Sequence, residues 1–166
     1  MNPRWLTPEE LAAWVPLASV LELLPGLLDA QLRRDSGLTH FDYRVLSRLS
    51  ETEGYQLRLS SLAKLTNSTL PRLSHVIDRL EGRGWVQRTA CAGDRRATMA
   101  ELTDAGMKKL EEAAPGHVEA VREYVIDALT PEQIEQLRGI FETVFHGLDP
   151  EGEMREITGR RREPGQ

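Results

Sequence analysis

Residues 58–102 read RLSSLAKLTN, STLPRLSHVIDRLEGRG and WVQRTACAGDRRATMAEL. Ser60 is placed to cap a short helix whose apolar positions are Leu62, Ala63 and Leu65. Thr66-Asn67 makes a turn, and Ser68 is the expected cap of a second helix. Pro71 then falls in the first turn, where backbone N–H groups lack partners in any case. Gly82 and Gly84 end that helix. Trp85 to Thr89 and Thr98 to Leu102 read as two short antiparallel strands about a charged loop. Helix, turn, helix and hairpin in this order predict a winged helix-turn-helix. Such a unit presents its second helix to a DNA major groove and its loop to the flanking minor groove.

At 3.6 residues per turn the second helix divides into two faces. Leu70, Leu73, Val76, Ile77 and Leu80 form the expected core face. Ser68, Arg72, His75 and Arg79 gather on the opposite flank, with Pro71 beside them. An arginine can donate two hydrogen bonds to O6 and N7 of guanine, each such pair contributing roughly 1–3 kcal/mol of discrimination. A solvated charged face fits this helix alone equally well. The loop Ala92-Gly93-Asp94-Arg95-Arg96 favours the DNA reading over a decorated surface turn. Gly93 permits a turn that other residues resist. Two adjacent arginines at a hairpin tip repel each other unless an anion is near. Arg96 suits the narrow, strongly negative minor groove of A·T tracts, and Asp94 can brace its guanidinium.

Outward from this segment the chain reads as helices. Thr7-Pro8-Glu9-Glu10 combines a capping box with proline at the first helical position. The helix it opens carries Trp14, Leu17, Leu21, Leu24 and Leu28. Pro16 and Pro25 predict a kink or a break near Pro25-Gly26, and the helix ends around Asp35-Ser36-Gly37. Thr39 caps the next helix, with Phe41, Val45, Leu46 and Leu49 inward and Gly54 closing it. Thr103 caps a fifth helix expected to reach Ala128, interrupted at Pro115-Gly116. Thr130-Pro131-Glu132-Gln133 repeats the cap-plus-proline signal and opens a sixth, to about Gly147. Residues 149–166 have almost no apolar content and are expected to form a flexible tail. Its Arg160-Arg161-Arg162 run reads as solvated, or as a phosphate contact.

The net charge of −5 argues against a nucleic-acid partner until it is mapped. From Arg58 to Thr98 eight basic residues stand against three acidic ones, a net of +5 that leaves −10 for the rest of the chain. Positive charge gathered in one segment attracts phosphate locally while the remainder stays acidic. A hydrophobic share of 40% is ordinary for a globular chain of 166 residues, so one domain with a sizeable core is expected. MNPRWLTPEE does not read as a signal peptide, no apolar run is expected to span a bilayer, and a cytoplasmic protein follows. The single cysteine, Cys91, rules out an internal disulfide framework. His40, His75, His117 and His146 lack metal-ligand spacing. No phosphate-binding glycine loop or nucleophile–base constellation is present, so neither an enzyme nor a cofactor is expected.

The chain resembles the MarR family of bacterial transcriptional regulators. The resemblance runs from about Leu11 to Val144, through GLTHFDYRVLSRLSE, STLPRLSHVIDRLEGRGWVQR, the wing DRR and the helix start LTDAG. It implies a mainly α fold, in which a winged helix-turn-helix with a two-stranded β wing (residues 37–102) is flanked by dimerisation helices (1–36 and 103–148). The apolar content of helices one, five and six fits dimerisation independently. It also implies a homodimer on double-stranded DNA. The recognition helix is then expected to contribute Ser68, Thr69, Pro71, Arg72, His75 and Arg79, and the wing Arg88, Asp94, Arg95 and Arg96. Release by a small aromatic or anionic effector is implied too. Trp14, Phe41, Tyr43 and His117 are the candidate pocket residues, with core or interface packing as the alternative. Two other readings stay open: a redox-responsive regulator using Cys91, whose arginine neighbours favour a thiolate, and a winged-helix protein-interaction module without DNA binding.

Overall fold

Local capping sets most helix boundaries. In the structure, a computed structural model, residues 3–91, 94–149, 152 and 154 are described, and of residues 94–96 only the backbone. Helix α1 (Pro8–Ser36) starts at Thr7, whose hydroxyl accepts the Glu10 N–H while the Glu10 carboxylate accepts the Thr7 N–H. Gly37, in the left-handed region at φ 66°, ends it. Thr39 and Asp42 form the same reciprocal box on α2 (His40–Ser50). Thr103 caps α5 (Asp104–Tyr124) through the Gly106 N–H, and Thr130 with Gln133 boxes α6 (Pro131–Leu148).

No break occurs in α1 or α5. Helix α1 runs unbroken through Pro16 and Pro25, and α5 runs unbroken through Pro115. Each proline removes one N–H from the ladder and crowds the carbonyl four residues before it, a local cost that the turns on either side of a long helix absorb. Helix α5 stops at Tyr124 instead of Ala128, and residues Ile126–Ala128 form a separate 3₁₀ turn.

The winged unit comprises β1 (Gln56–Arg58), α3 (Leu59–Leu65), α4 (Leu70–Gly82), β2 (Val86–Cys91) and β3 (Asp94–Leu102). The sheet is three-stranded, antiparallel and ordered β1-β3-β2: the expected two-stranded wing is its β2–β3 hairpin, and β1 is an added strand that the sequence did not show. Strand β1 pairs Leu57 with Ala100. That pairing holds residues 56–58 extended, so α3 begins at Leu59 with no side-chain cap, and Ser60 lies inside the helix. Helix α4 is capped by Thr69, not Ser68. The Thr69 hydroxyl accepts the Arg72 N–H, while the Ser68 N–H is taken by the Ala63 carbonyl at 2.9 Å. Both wing strands are longer than expected. Residues 92 and 93, where the Gly93 turn was expected, lie outside the described residues, as does nearly all of the tail after Asp149.

Leu46, Leu49, Leu62, Leu73, Ile77, Leu80, Val86 and Ala100 make the core of this unit, with Leu32 of α1 and Leu110 and Ala113 of α5 packed into it. Leu70, expected inward, is exposed. The junction of α4, β2 and α5 is tight. The Thr103 hydroxyl donates to the Gly84 carbonyl at 2.6 Å. A Cβ at Gly106 would overlap the Trp85 carbonyl oxygen, so the glycine is required by close approach, not by its dihedral angles.

The other helices leave this core. Every described residue of α6 is at least partly exposed, and so is α1 up to Leu27. Leu21 (58%), Leu23 (67%) and Ile140 (59%) are among the apolar side chains facing outward. By length and composition α1 is apolar enough to cross a membrane, with a mean hydropathy of 1.8 in one 18-residue window. This corrects the expectation that no such run exists. The window was obscured because Pro16, Ser19, Glu22 and Pro25 punctuate it.

Candidate nucleic-acid interface

The turn between α3 and α4 is built from Thr66 and Asn67. The buried Thr66 hydroxyl donates to the Leu62 carbonyl at 2.7 Å, and Asn67 takes the left-handed conformation at φ 48°, which asparagine tolerates better than most residues. The turn sets α4 across the unit with Leu73, Val76, Ile77 and Leu80 buried. Pro71, His75, Asp78 and Gly82 therefore form its outermost line, with Thr69 and Leu70 exposed at its start.

Two arginines flank that line on the side of α2. The Arg72 guanidinium lies over the Phe41 ring, 4.9 Å from its centroid. Arg79 forms an ion pair with Asp42, whose carboxylate is buried while Arg79 stays 45% exposed. Arg72, His75 and Arg79 are exposed on α4 together with Pro71. Ser68 is half-buried and bonds the Thr69 carbonyl at 3.2 Å.

Arg88 has internal partners on the opposite flank. It pairs with Asp78 and Glu81, each at 2.6 Å, and donates to the Ser74 carbonyl and hydroxyl. Burial alone would lower the pKa of Arg88, but the two carboxylates outweigh it and raise it. The Arg88 N–H and guanidinium in turn hold the Glu81 carboxyl below its ordinary range. The side chain ties β2 to α4. Arg83 donates to the Gly37 carbonyl and lies over Trp85. The side chains of Asp94, Arg95 and Arg96 lie outside the described residues. Their backbone begins β3, with Asp94 opposite Cys91, itself half-buried at the end of β2.

A second polar cluster lies where α1, α2 and α5 meet. The Tyr43 and His117 rings are 4.3 Å apart, and His40 and His117 are 6.0 Å apart. Gln31 donates to Asp35 at 2.9 Å. Its Oε1 and the Nδ1 of His117 are buried, with no hydrogen-bond partner among the described residues. Half-buried Arg44 follows on α2, with no ion pair among the described residues. Burial, Arg48 and Arg72 pull its pKa down. Burial pushes Tyr43 up, with Glu51 adding to it. His40 is lowered by burial, then by Arg44 and His117, against the opposing pull of Asp29. His117 is lowered by burial. Of the four expected pocket residues, Tyr43 and His117 come together here and Phe41 sits next to them under Arg72. Trp14 does not join them. It is half exposed and about 25 Å along α1 from Gln31 at 1.5 Å per residue.

Sequence reading missed Asp42, Gln31 and Arg44. Asp42 carried a signal, since it stands at the capping-box position of α2, but its ion-pair partner lies 37 residues away. Gln31 carried a weaker one, a polar residue in a largely apolar helix.

The sequence profile of the MarR family matches residues 38–98. The fold is similar to Sco3205, a MarR family transcriptional regulator from Streptomyces coelicolor solved in complex with DNA. Identity is 46%, coverage 90% of this chain and 93% of that one, and TM-score 0.83. It is similar also to AbsC, a MarR family regulator of the same organism, at 39% identity, 89% and 99% coverage and TM-score 0.81. Among curated relatives, the transcriptional repressor YetL of Bacillus subtilis is 28% identical over 137 residues, 75% of this chain and 82% of YetL.

Proposed function

The chain belongs to the MarR family, and we propose that it serves there as a homodimeric repressor that leaves its operator when a small aromatic or anionic molecule binds. The chain is a DNA-binding transcriptional regulator. The observation that carries the DNA contact is the outward surface of α4, where Pro71 and His75 stand exposed beside Arg72 and Arg79. The DNA complex of Sco3205 supports the same reading. Thr69, Pro71, Arg72, His75 and Arg79 meet the major groove, and Ser68 supports the turn behind them. The wing residues Asp94, Arg95 and Arg96 meet the minor groove. Arg88 serves by holding β2 to α4.

A second copy of the chain covers the apolar faces of α1, α5 and α6. Exposed Leu21, Leu23, Val118, Ile140 and Val144 support this, because so large an apolar surface is unfavourable in water. Two recognition helices then reach half-sites one helical turn apart, about 34–36 Å. The effector sits at the α1–α2–α5 junction. Unpartnered Gln31 Oε1 and His117 Nδ1 suit a polar group, the Tyr43 ring suits an aromatic body, and Arg44 suits an anion.

The test is fluorescence anisotropy of the full chain with duplex DNA from upstream of its own gene. Tight, salt-sensitive binding to one fragment, weakened by small aromatic carboxylates, is the expected result. A folded dimer that binds no duplex overturns the reading.

A further inference from the structure

We propose that Asp42 is a positioning residue for DNA recognition. It fixes the Arg79 guanidinium and so sets where the recognition helix presents its charge. The proposal rests on the DNA-binding reading above. Asp42 is 2% exposed, and its two carboxylate oxygens have separate duties. Oδ2 accepts the Thr39 N–H at 3.0 Å and closes the cap of α2, while Oδ1 accepts Arg79.

The geometry makes Arg79 two-sided. The Nη2 of its guanidinium is bonded to a buried acid, and the side chain stays about half exposed on the surface of α4. Guanidinium carries five donors in a rigid planar fork, so holding one edge orients the others. A free arginine must give up rotamer freedom when it meets a base or phosphate, whereas a held one has already done so. The neighbouring residue repeats the device, since Phe41 lies beneath Arg72. Adjacent residues of α2 thus seat two arginines seven positions apart on α4, about 10 Å along the helix axis.

The ion pair also changes what Arg79 contributes. Its charge is offset by Asp42 at hydrogen-bond distance, so it adds little to the bulk phosphate attraction that drives sequence-independent binding. Its contribution lies in geometry, and therefore in preference for the operator.

The experiment is a double-mutant cycle on the full-length dimer with D42N, R79Q and both together. Each is titrated against an operator selected from random duplexes and against a shuffled duplex, with Tm recorded. D42N is expected to lower operator affinity about tenfold and to raise affinity for the shuffled duplex up to about threefold, because a compensating negative charge is gone. A residue that only stabilises the fold lowers both affinities or neither. R79Q is expected to lower operator affinity to a similar degree, and D42N to add nothing in its background. R79K, which keeps the charge but not the fork and does not touch the cap, is expected to lose the operator preference even if D42N folds poorly. Independent effects of D42N and R79Q, a fall of both affinities in D42N, or wild-type preference in R79K each overturn the role of Asp42 while leaving DNA binding intact. A wild-type dimer that binds neither duplex overturns both readings.

Discussion

Gly106 illustrates how one atom governs a junction. Its missing Cβ lets the start of α5 lie on the Trp85 carbonyl, while Thr103 caps α5 and reaches back to Gly84. G106A is expected to destabilise the protein by about 3 kcal/mol, the upper part of the range for overpacking, because the obstructing atom is backbone. Urea unfolding checks it, and wild-type stability would remove the explanation. His40 and His117 give a pH dependence. Both are held below the ordinary imidazole value, so the unfolded chain binds protons that the folded one refuses. Stability is therefore full above about pH 6.5 and falls as pH drops through that value. Asp29 and Glu81, whose pKa values are lowered, lose their contribution only below about pH 4. Tm measured from pH 8 to 5 is expected to fall, and to fall less in H117F. An equal fall in both proteins would contradict the assignment to His117. The caps at Thr7, Thr39, Thr103 and Thr130 were legible because cap and partner lie three residues apart. Thr69 was missed for Ser68 because adjacent hydroxyls compete for one role and only tertiary packing decides. Arg79 was visible on the face of α4, but Asp42 was passed over, because nothing local links the two across 37 residues.

Helices α1 and α6 belong to a surface that one copy of the chain leaves open. The sequence showed their apolar rows but not that these rows face away from the winged unit. That fact depends on where α5 directs them. If the proposed dimer forms through these faces, Leu23→Glu combined with Ile140→Lys is expected to convert it to a monomer at micromolar concentration, read by light scattering after size exclusion. A dimer that persists with its far-ultraviolet dichroism unchanged would place the interface elsewhere. Strand β1 was illegible for another reason. Three residues, Gln56 to Arg58, are too few to show alternation, and the strand exists because Leu57 finds Ala100 across β3. The unbroken course of α5 through Pro115 also went unseen. Sequence penalises an internal proline, whereas packing of Leu110, Ala113 and Ala120 on either side holds the helix.

Charge and fold converge on one segment. The +5 segment from Arg58 to Thr98 includes α4 and the wing, inside a chain of net charge −5. The structure refines which cations act outward. Arg88 is tied to Asp78 and Glu81, Arg79 is held by Asp42, and Arg72 rests on Phe41. The first turn of α2 touches α4 through Phe41 and Asp42 and touches α5 through Tyr43. On the proposed reading, an effector at the junction is thereby expected to reach α4 through a single turn. The most direct measurement is anisotropy with the upstream duplex across a salt series, comparing wild type with R96A and R72A. Logarithmic affinity is expected to fall linearly with logarithmic salt. R96A should lower affinity for all duplexes and reduce the slope by about one, and R72A should relax preference at particular bases. Binding that is insensitive to salt, or unchanged in both variants, would contradict a grip on duplex DNA by this helix and wing.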